Sequence, residues 1–581
     1  MRGCGKIDSK VLLHTFPCHV VLMSTSRRAV SDSVLAIGIL CLGLITRFAL
    51  LNYPRAVVFD EYHFGKFVNG YLTGEYFFDI HPPLGKLVLT LAAHAGGYNG
   101  TTMAWAKIGD PIPAAVNLFA LRAGPALQGA LLLPLLYIAG RAMGLSQPAS
   151  LLAPAGALFD VCLLVESRLV LTDATLLLGF AVHLAASFSS DHHPPLGRAW
   201  TWRIAAAGGG IAMAVCTKWT GAGCLALGGV HSMMALYRGF SGGRRISQVV
   251  LEALARLGLL LLLPALCYIL CGWLHFALLP LTGPGAKFMT AAFRASLRGE
   301  NATSLAAAKL GSADPTPLGF VSRFVELNKE MLRANANIKK GHDWSSRWYD
   351  WPLMRRSVLY WIGKQSPYIE PPSLPVARIY AIGTPAVWWL AAAAPTLFIG
   401  WATTRILAPS TSRAANVSPP ASVDEGQDAN QQGKGVGDEA EARTWSLLTQ
   451  GGLLLLGYLA NWLPFVAVER AAFIYHFLPS LLHALLLSGV LLDAAIPPTR
   501  LLDGRAPVDP RLADALSDEL AAPVEGSVVD GVRSPDALRW LVAGALITIM
   551  AACFAFFAPL AYGMPMSHAD LDTRMWLDTW R

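Results

Sequence analysis

Apolar runs of membrane-spanning length recur along almost the whole chain, separated mostly by short loops. A helical span needs about 20 apolar residues. On that measure about eleven spans are expected, at 34–52, 114–139, 148–165, 169–187, 204–220, 221–237, 249–281, 378–404, 446–466, 473–493 and 536–562. The fifth and sixth are nearly continuous. Composition agrees: 54% of the 581 residues are hydrophobic and only 14% charged, where a soluble domain carries about 25%. The apolar piece at 84–97 holds Lys86 and His94 and is too short to span, so it reads as an amphipathic or re-entrant helix along the membrane.

With eleven spans, Arg27 and Arg28, Arg141, Arg198 and Arg203, Arg238, Arg244 and Arg245, Arg405 and Arg413, and Arg500, Arg505 and Arg511 fall on one side. By the positive-inside rule that side is cytosolic. The opposite side receives Asp60-Glu61, Glu166-Ser167-Arg168, Lys218-Trp219, the loop 282–377, Glu469-Arg470 and the C-terminal residues. Unusual charge at membrane depth ordinarily faces a cavity or another charge. The net charge of +8 is scattered through short loops, which argues against a nucleic-acid-binding face.

The segment 406–445 is rich in Ala, Ser, Pro, Gly and acidic residues and reads as a disordered cytosolic linker. Residues 494–535 form a similar cytosolic loop, and 1–33 a weakly structured cytosolic tail without a clear cleavage site. The cysteines sit mostly in apolar runs, with no Cys-x-x-Cys pair, so neither a disulfide framework nor a zinc site is expected. Sequons occur at Asn99, Asn301 and Asn416, the first two on the luminal side. The His-Pro-Pro-Leu-Gly stretches at 81–85 and 193–197 have unlike flanks and read as coincidence, and Asp570-Leu571-Asp572 reads as surface charge.

Asp60 and Glu61 follow the first span. Successive side chains diverge by about 100° in a helix and about 180° in a strand, so one can face a reacting centre while the other holds a loop. A partly desolvated carboxylate binds protons more tightly and can act as a general base; capping a helix is the alternative for Asp60. Arg47, Arg122, Arg168, Lys218, Arg378 and Arg470 lie within or at the luminal ends of spans. Each needs an anionic partner. Some pair with Glu166, Asp173 or Glu469, and the surplus suits a lipid phosphate or pyrophosphate. The loop 282–377 gathers Trp344, Trp348, Trp351, Trp361, Tyr349 and Tyr360 with Lys340, His342 and Arg347. That is either an interfacial belt or a platform over a cavity. No Gly-x-x-x-x-Gly-Lys-Ser/Thr loop is present.

Six blocks resemble the protein O-mannosyltransferases. They are Phe59-Asp-Glu-Tyr-His-Phe-Gly-Lys66, Tyr76-Phe-Phe-Asp-Ile-His-Pro-Pro-Leu-Gly-Lys86, Ser167-Arg-Leu-Val-Leu-Thr-Asp173, Cys216-Thr-Lys-Trp-Thr-Gly221, His342-Asp-Trp-Ser-Ser-Arg-Trp-Tyr-Asp-Trp-Pro352 and Arg470-Ala-Ala-Phe-Ile-Tyr-His-Phe-Leu-Pro479. The resemblance implies an all-α polytopic GT-C glycosyltransferase, with a catalytic region at 34–405, luminal loops 53–113 and 282–377, juxtamembrane helices in the first of them, and C-terminal spans within 446–581. It implies dolichyl phosphate mannose as lipid donor and a Ser/Thr hydroxyl of a secretory polypeptide as acceptor. Asp60 matches the family's catalytic aspartate, and Glu61 its neighbour, assigned to acceptor binding or site geometry. Arg47, Arg122, Arg168 and Lys218 would meet charge on the leaving phosphate, with Arg378 and Arg470 as further donor-binding candidates. His81, His342, Trp344, Tyr475 and His476 match family positions without an assigned role. No metal ligand is implied, and the divalent-cation requirement is open.

The loop 282–377 is too short for the β-trefoil MIR domain that eukaryotic members carry there, which leaves open acceptor selection and pairing as a homodimer or heterodimer. The form His63-Phe-Gly-Lys66 favours a multi-pass protein of the endoplasmic reticulum membrane with a luminal site, over the bacterial plasma membrane. Other readings are a GT-C transferase acting on a lipid or glycan, an inactive partner subunit, and a transporter.

Overall fold

The computed structural model describes residues 25–299, 316–338, 341–363, 375–407, 427–497 and 535–581. The N-terminal part is built from α1 (Thr25–Phe48), α2 (Glu61–Thr73), α3 (Leu84–Ala95), α4 (Leu118–Ala142), α5 (Gln147–Leu158), α6 (Val161–Arg168), α7 (Asp173–Ser190), α8 (Arg198–Val215), α9 (Ala222–Ser241), α10 (Ile246–Leu257) and α11 (Leu263–Leu278). The last two are joined through one π turn, Gly258–Leu262. A helix at Phe320–Asn337 and a two-stranded sheet follow. Long helices then run over Pro385–Leu407, Gln427–Trp462, Leu478–Ala495 and Pro535–Tyr562.

Among the described residues, seven helices are long and apolar enough to cross a membrane, and the bent pair α5–α6 makes an eighth. The remaining expected spans are present as helices, but α8, α9 and Gln427–Trp462 do not reach that apolarity by themselves. Two expectations need correction. Residues 378–381 are a strand, and the helix starts at Pro385. The expected linker 406–445 is helical from Gln427 onward, residues 408–426 lying outside the described part. Most of the loop 494–535 and residues 1–24 also lie outside it.

Helix ends follow local chemistry. The Asn117 side chain accepts from Ala120 N at the start of α4, and Ser146 accepts from Ala149 N at the start of α5, each satisfying an otherwise orphaned N–H. The 58° break between α5 and α6 is held from both sides. Arg47 donates to the Ala157 and Leu158 carbonyls at the end of α5 (2.7 and 3.3 Å), a favourable place for a cation. Asp160 accepts from Leu163 N at 2.8 Å, and from Thr384 N and Trp388 Nε1 at 2.9 and 2.7 Å. α7 and α8 meet backbone to backbone: a Cβ on Gly210 would lie 2.6 Å from the Gly179 carbonyl. Small residues permit such approach inside membranes.

The strands β1 (Val358–Ile362) and β2 (Arg378–Ala381) pair antiparallel. Leu359 faces Tyr380 and Trp361 faces Ile379, so Tyr360 is the extra residue of a bulge. A bulge releases one residue from the ladder and re-aims it. Here the freed Tyr360 carbonyl accepts Phe59 N at 3.1 Å.

Candidate active site

Asp60 sits where the α1–α2 connection meets β1. Phe59 precedes it with φ 44°, a conformation costly for a bulky side chain and kept only where the surroundings enforce it. The enforcement is visible: Phe59 N is bonded to the bulged Tyr360 carbonyl, and the Phe59 ring stacks on Tyr360 at 3.9 Å, 10° from parallel. Asp60 then starts α2 through its carbonyl, which accepts from His63 N and Phe64 N (2.9 Å each). Its side chain makes no capping bond. The carboxyl is therefore left for other work, and the capping role allowed by the sequence is not used. Burial pushes Asp60 up to about 7; Lys218 pulls it down, and Asp173 and Asp79 push it further up.

Glu61 has the opposite surroundings. It is fully buried, and Arg122 grips it through Nε and Nη2 at 2.8 Å each. Val58 N and Val170 N complete its shell at 3.0 Å. Arg122 sends its other donors to the Leu51, Pro54 and Ala56 carbonyls. All five of its N–H groups are thereby engaged, the full capacity of a guanidinium. The pair ties the α1–α2 connection to α4 and to the α6–α7 turn.

Three expected phosphate ligands are thus committed elsewhere. Arg122 belongs to Glu61, and Arg47 caps α5. Arg168 donates to Ala49 and Ala561 carbonyls (2.5 and 3.3 Å) and stacks on Tyr562 at 4.3 Å, locking α6 to the ends of α1 and the last long helix. Lys218 pairs with Asp173 through both carboxylate oxygens, at 2.8 and 2.7 Å, the ion pairing that the sequence offered as an alternative. Arg378 on β2 donates to the Tyr380 hydroxyl at 3.2 Å.

Arg470 differs from all of these. It is half-buried and has no hydrogen bond or ion pair among the described residues. Its charge reaches the Tyr475 hydroxyl. Burial, then Lys218, Lys86 and lastly Arg470, hold His81 well below the ordinary histidine range. His81 is therefore a neutral imidazole at physiological pH. Lys218 also lies 5.6 Å over the Tyr475 ring. Tyr475 packs near-parallel to both Phe473 (5.4 Å, 17°) and His476 (4.8 Å, 21°), and His476 stacks on Trp351. The ring of His342 meets Phe473 at 5.2 Å, and Trp344 meets Tyr380 at 6.2 Å. His342 is exposed and Trp344 half-buried.

Asp79, Lys86, Glu166 and Tyr360 join the cluster without having been singled out as site residues. Lys86 clamps the loop before α3 by donating to Asp79 (2.5 Å) and to the His81 and Pro82 carbonyls (2.7 and 3.0 Å). Gly85 lets that loop dock, since a Cβ there would meet Thr172 at 2.7 Å and Thr217 at 2.9 Å. The Tyr360 hydroxyl donates to Glu166, which lies within electrostatic reach of Asp60. The motif block around residues 76–86 signalled the first two residues. Tyr360 was legible only as one of the aromatics of the loop 282–377, because its contact with Glu166 depends on a bulge. Among the described residues no three His, Cys, Asp or Glu side chains converge to hold a metal ion.

Two family models match in chain order. One, described as dolichyl-phosphate-mannose-protein mannosyltransferase, covers residues 37–280. The other, described as the C-terminal four TMM region of protein-O-mannosyltransferase, covers 320–580. Among curated relatives, dolichyl-phosphate-mannose–protein mannosyltransferase 4 of Candida albicans is 34% identical over 263 residues, 44% of this chain and 34% of the relative. Protein O-mannosyl-transferase 1 of mouse is 33% identical over 268 residues, 44% and 35% respectively. The matched part is about a third of the length of these relatives. The solved Saccharomyces cerevisiae protein O-mannosyltransferase Pmt1-Pmt2 complex bound to the sugar donor shares the fold. The TM-score is 0.76 at 18% identity, over 95% of this chain and 93% of that one. Asp60, Lys218, Arg470 and their supports fall within the two matched regions, and the chain belongs to the protein O-mannosyltransferase family.

Proposed function

We propose that this protein transfers mannose from dolichyl phosphate mannose to serine or threonine hydroxyls of secretory polypeptides, with Asp60 as general base. The observation that carries the reading is a carboxyl held near pKa 7 and free of capping bonds, in a cluster that includes one uncommitted guanidinium, Arg470. The relatives' names supply the donor and acceptor classes.

In this mechanism Asp60 takes the proton of the acceptor hydroxyl. The hydroxyl oxygen forms a bond to the anomeric carbon of mannose while the bond from that carbon to the lipid phosphate oxygen breaks, with inversion. The electron pair leaves on dolichyl phosphate, a stable anion, so no strong acid is required. Arg470 meets the phosphate, and neutral His81 can donate one N–H to it. Lys218, already balanced by Asp173, sets the field around Asp60. Arg378, His342, Trp344, Tyr475 and His476 would line the rim and contact acceptor or donor without moving protons. The active site would face the lumen of the endoplasmic reticulum, opposite the basic loops, and assembly as a homodimer or with a second family member is part of the proposal.

The test is transfer of labelled mannose to a serine-containing peptide by the purified protein. The expected result is transfer that disappears in Asp60→Asn while the variant stays folded and still melts cooperatively. Full activity in the variant, or transfer only to a glycan or lipid acceptor, would overturn the reading.

A further inference from the structure

A cleft lies at the end of the bundle opposite the Asp60 cluster. α4 and α7 begin near the Asp60 cluster, with Arg122 and Asp173, while α1 ends toward it and α8 leads from its last turn to Lys218. The opposite ends of the same four helices border this open cleft of about 400 Å³. Its lining mixes two chemistries. Ala36, Ile138 and Ala142 give it apolar walls, and the Arg203 guanidinium and the His192 and His193 rings a polar edge.

The one acidic side chain there is already neutralised. Asp32 accepts from Tyr137 Oη at 2.6 Å, from Arg141 Nε at 3.1 Å and from Gln147 Nε2 at 2.9 Å. Arg203 has no acidic partner among the described residues; its one bond is to the Ala199 carbonyl of its own helix, at 3.1 Å. His193 has no side-chain hydrogen bond there either. Partial burial, Arg203 and His192 hold it below the ordinary histidine range, so it lies within electrostatic reach of Arg203. The loop that presents the two histidines is shaped by Leu196 at φ 67° and anchored by His192 Nε2 at 2.6 Å from the Ala142 carbonyl. This is the second His-Pro-Pro-Leu-Gly stretch, which the catalytic reading leaves without a role.

We propose that this cleft binds the phosphate headgroup of an anionic membrane phospholipid, with Arg203 and His193 on the phosphate and the apolar walls against the first acyl carbons. An uncompensated guanidinium at a membrane boundary attracts phosphate oxygens through charge-assisted bonds. The apolar walls favour an amphiphile over a free anion. The site is independent of the transferase reading, since none of its residues belongs to the Asp60 cluster.

The experiment is native mass spectrometry of the full-length protein released from vesicles of phosphatidylcholine containing phosphatidic acid, with a parallel arm in millimolar inorganic phosphate. The expected result is one phosphatidic acid retained about tenfold better than phosphatidylcholine, as a charge-assisted contact implies. That preference should vanish in Arg203→Ala, weaken in His193→Ala and resist inorganic phosphate. Equal retention of the two lipids by the unaltered protein, or an unchanged preference in both variants with unchanged melting temperature, would overturn the site. Displacement of the lipid by inorganic phosphate would assign the cleft to the free anion and overturn the lipid assignment.

Discussion

Asp60 and Glu61 are neighbours in the chain and opposites in the fold. Around Glu61, Arg122, Arg47 and Arg168 most charged nitrogens and oxygens meet a partner from the chain itself, mainly backbone carbonyls and amides at helix ends. Around Asp60 and Arg470 the partners run out. A buried charge that is fully bonded holds elements together, whereas one left open in a cluster is available to a substrate. The comparison separates scaffold from chemistry more sharply than residue type does, since both regions hold arginines and carboxylates.

The strongest way to break this comparison is to remove one charge from each side of it. Asp60→Asn should lower mannosyl transfer by about 10²–10⁴-fold, the usual worth of a general base, with the fold intact. Activity within tenfold of the unaltered protein would remove Asp60 from that role. On the scaffold side, Arg122→Ala strands Glu61 without its counter-charge. A loss of about 3–5 kcal/mol is expected for breaking a buried pair, read as poor yield and early unfolding in detergent. A well-folded, inactive Arg122→Ala protein would instead place Arg122 in the chemistry.

Arg470→Ala tests the open cation. The expectation is a loss of about 1.5–3 kcal/mol in kcat/KM, the worth of hydrogen bonds to a charged group, without a change in melting temperature. A smaller effect concerns pH. Asp60 must be ionised to act, so kcat/KM should fall about tenfold per unit below pH 7. A raised carboxyl pKa also disfavours folding once the group ionises in the unfolded chain. That penalty sets in above the ordinary value of 3.8, grows until about pH 7 and is constant beyond it. Asp60→Asn should therefore melt higher than the unaltered protein at pH 8, and by a narrower margin at pH 5. An equal margin at both would mean that Asp60 ionises normally. The gentlest test is Trp580→Phe. Trp580 Nε1 donates to the Met354 carbonyl at 2.7 Å, and its own carbonyl accepts from Ser357 beside β1. Losing one such bond costs about 1 kcal/mol, and activity should drop only as far as Tyr360 loosens against Phe59.

Much of the architecture was readable in the chain. The apolar runs located most of the long helices to within several residues, because hydrophobic periodicity is a local signal; the polar first half of Gln427–Trp462 carries no such signal and was read as linker. The broken α5–α6 span was not separated, since its break depends on Arg47 and Asp160 reaching partners more than a hundred residues away. Arg378 was read as the start of a span, because a short strand next to an apolar helix has no distinct pattern. For the site, Asp60 and the blocks around His81, Lys218 and Arg470 stood out in sequence. Arg47, Arg122 and Arg168 looked like equal candidates for a phosphate because their partners are backbone carbonyls and one glutamate, none of which marks the local sequence.

By itself the sequence determined a polytopic helical chain, the face on which its unusual charges gather, and the inventory of acids and bases available there. Only the tertiary structure decided which of those charges are already satisfied. Helix formation and burial depend on spacing along the chain, whereas the satisfaction of a charge depends on which distant carbonyls and carboxylates converge on it.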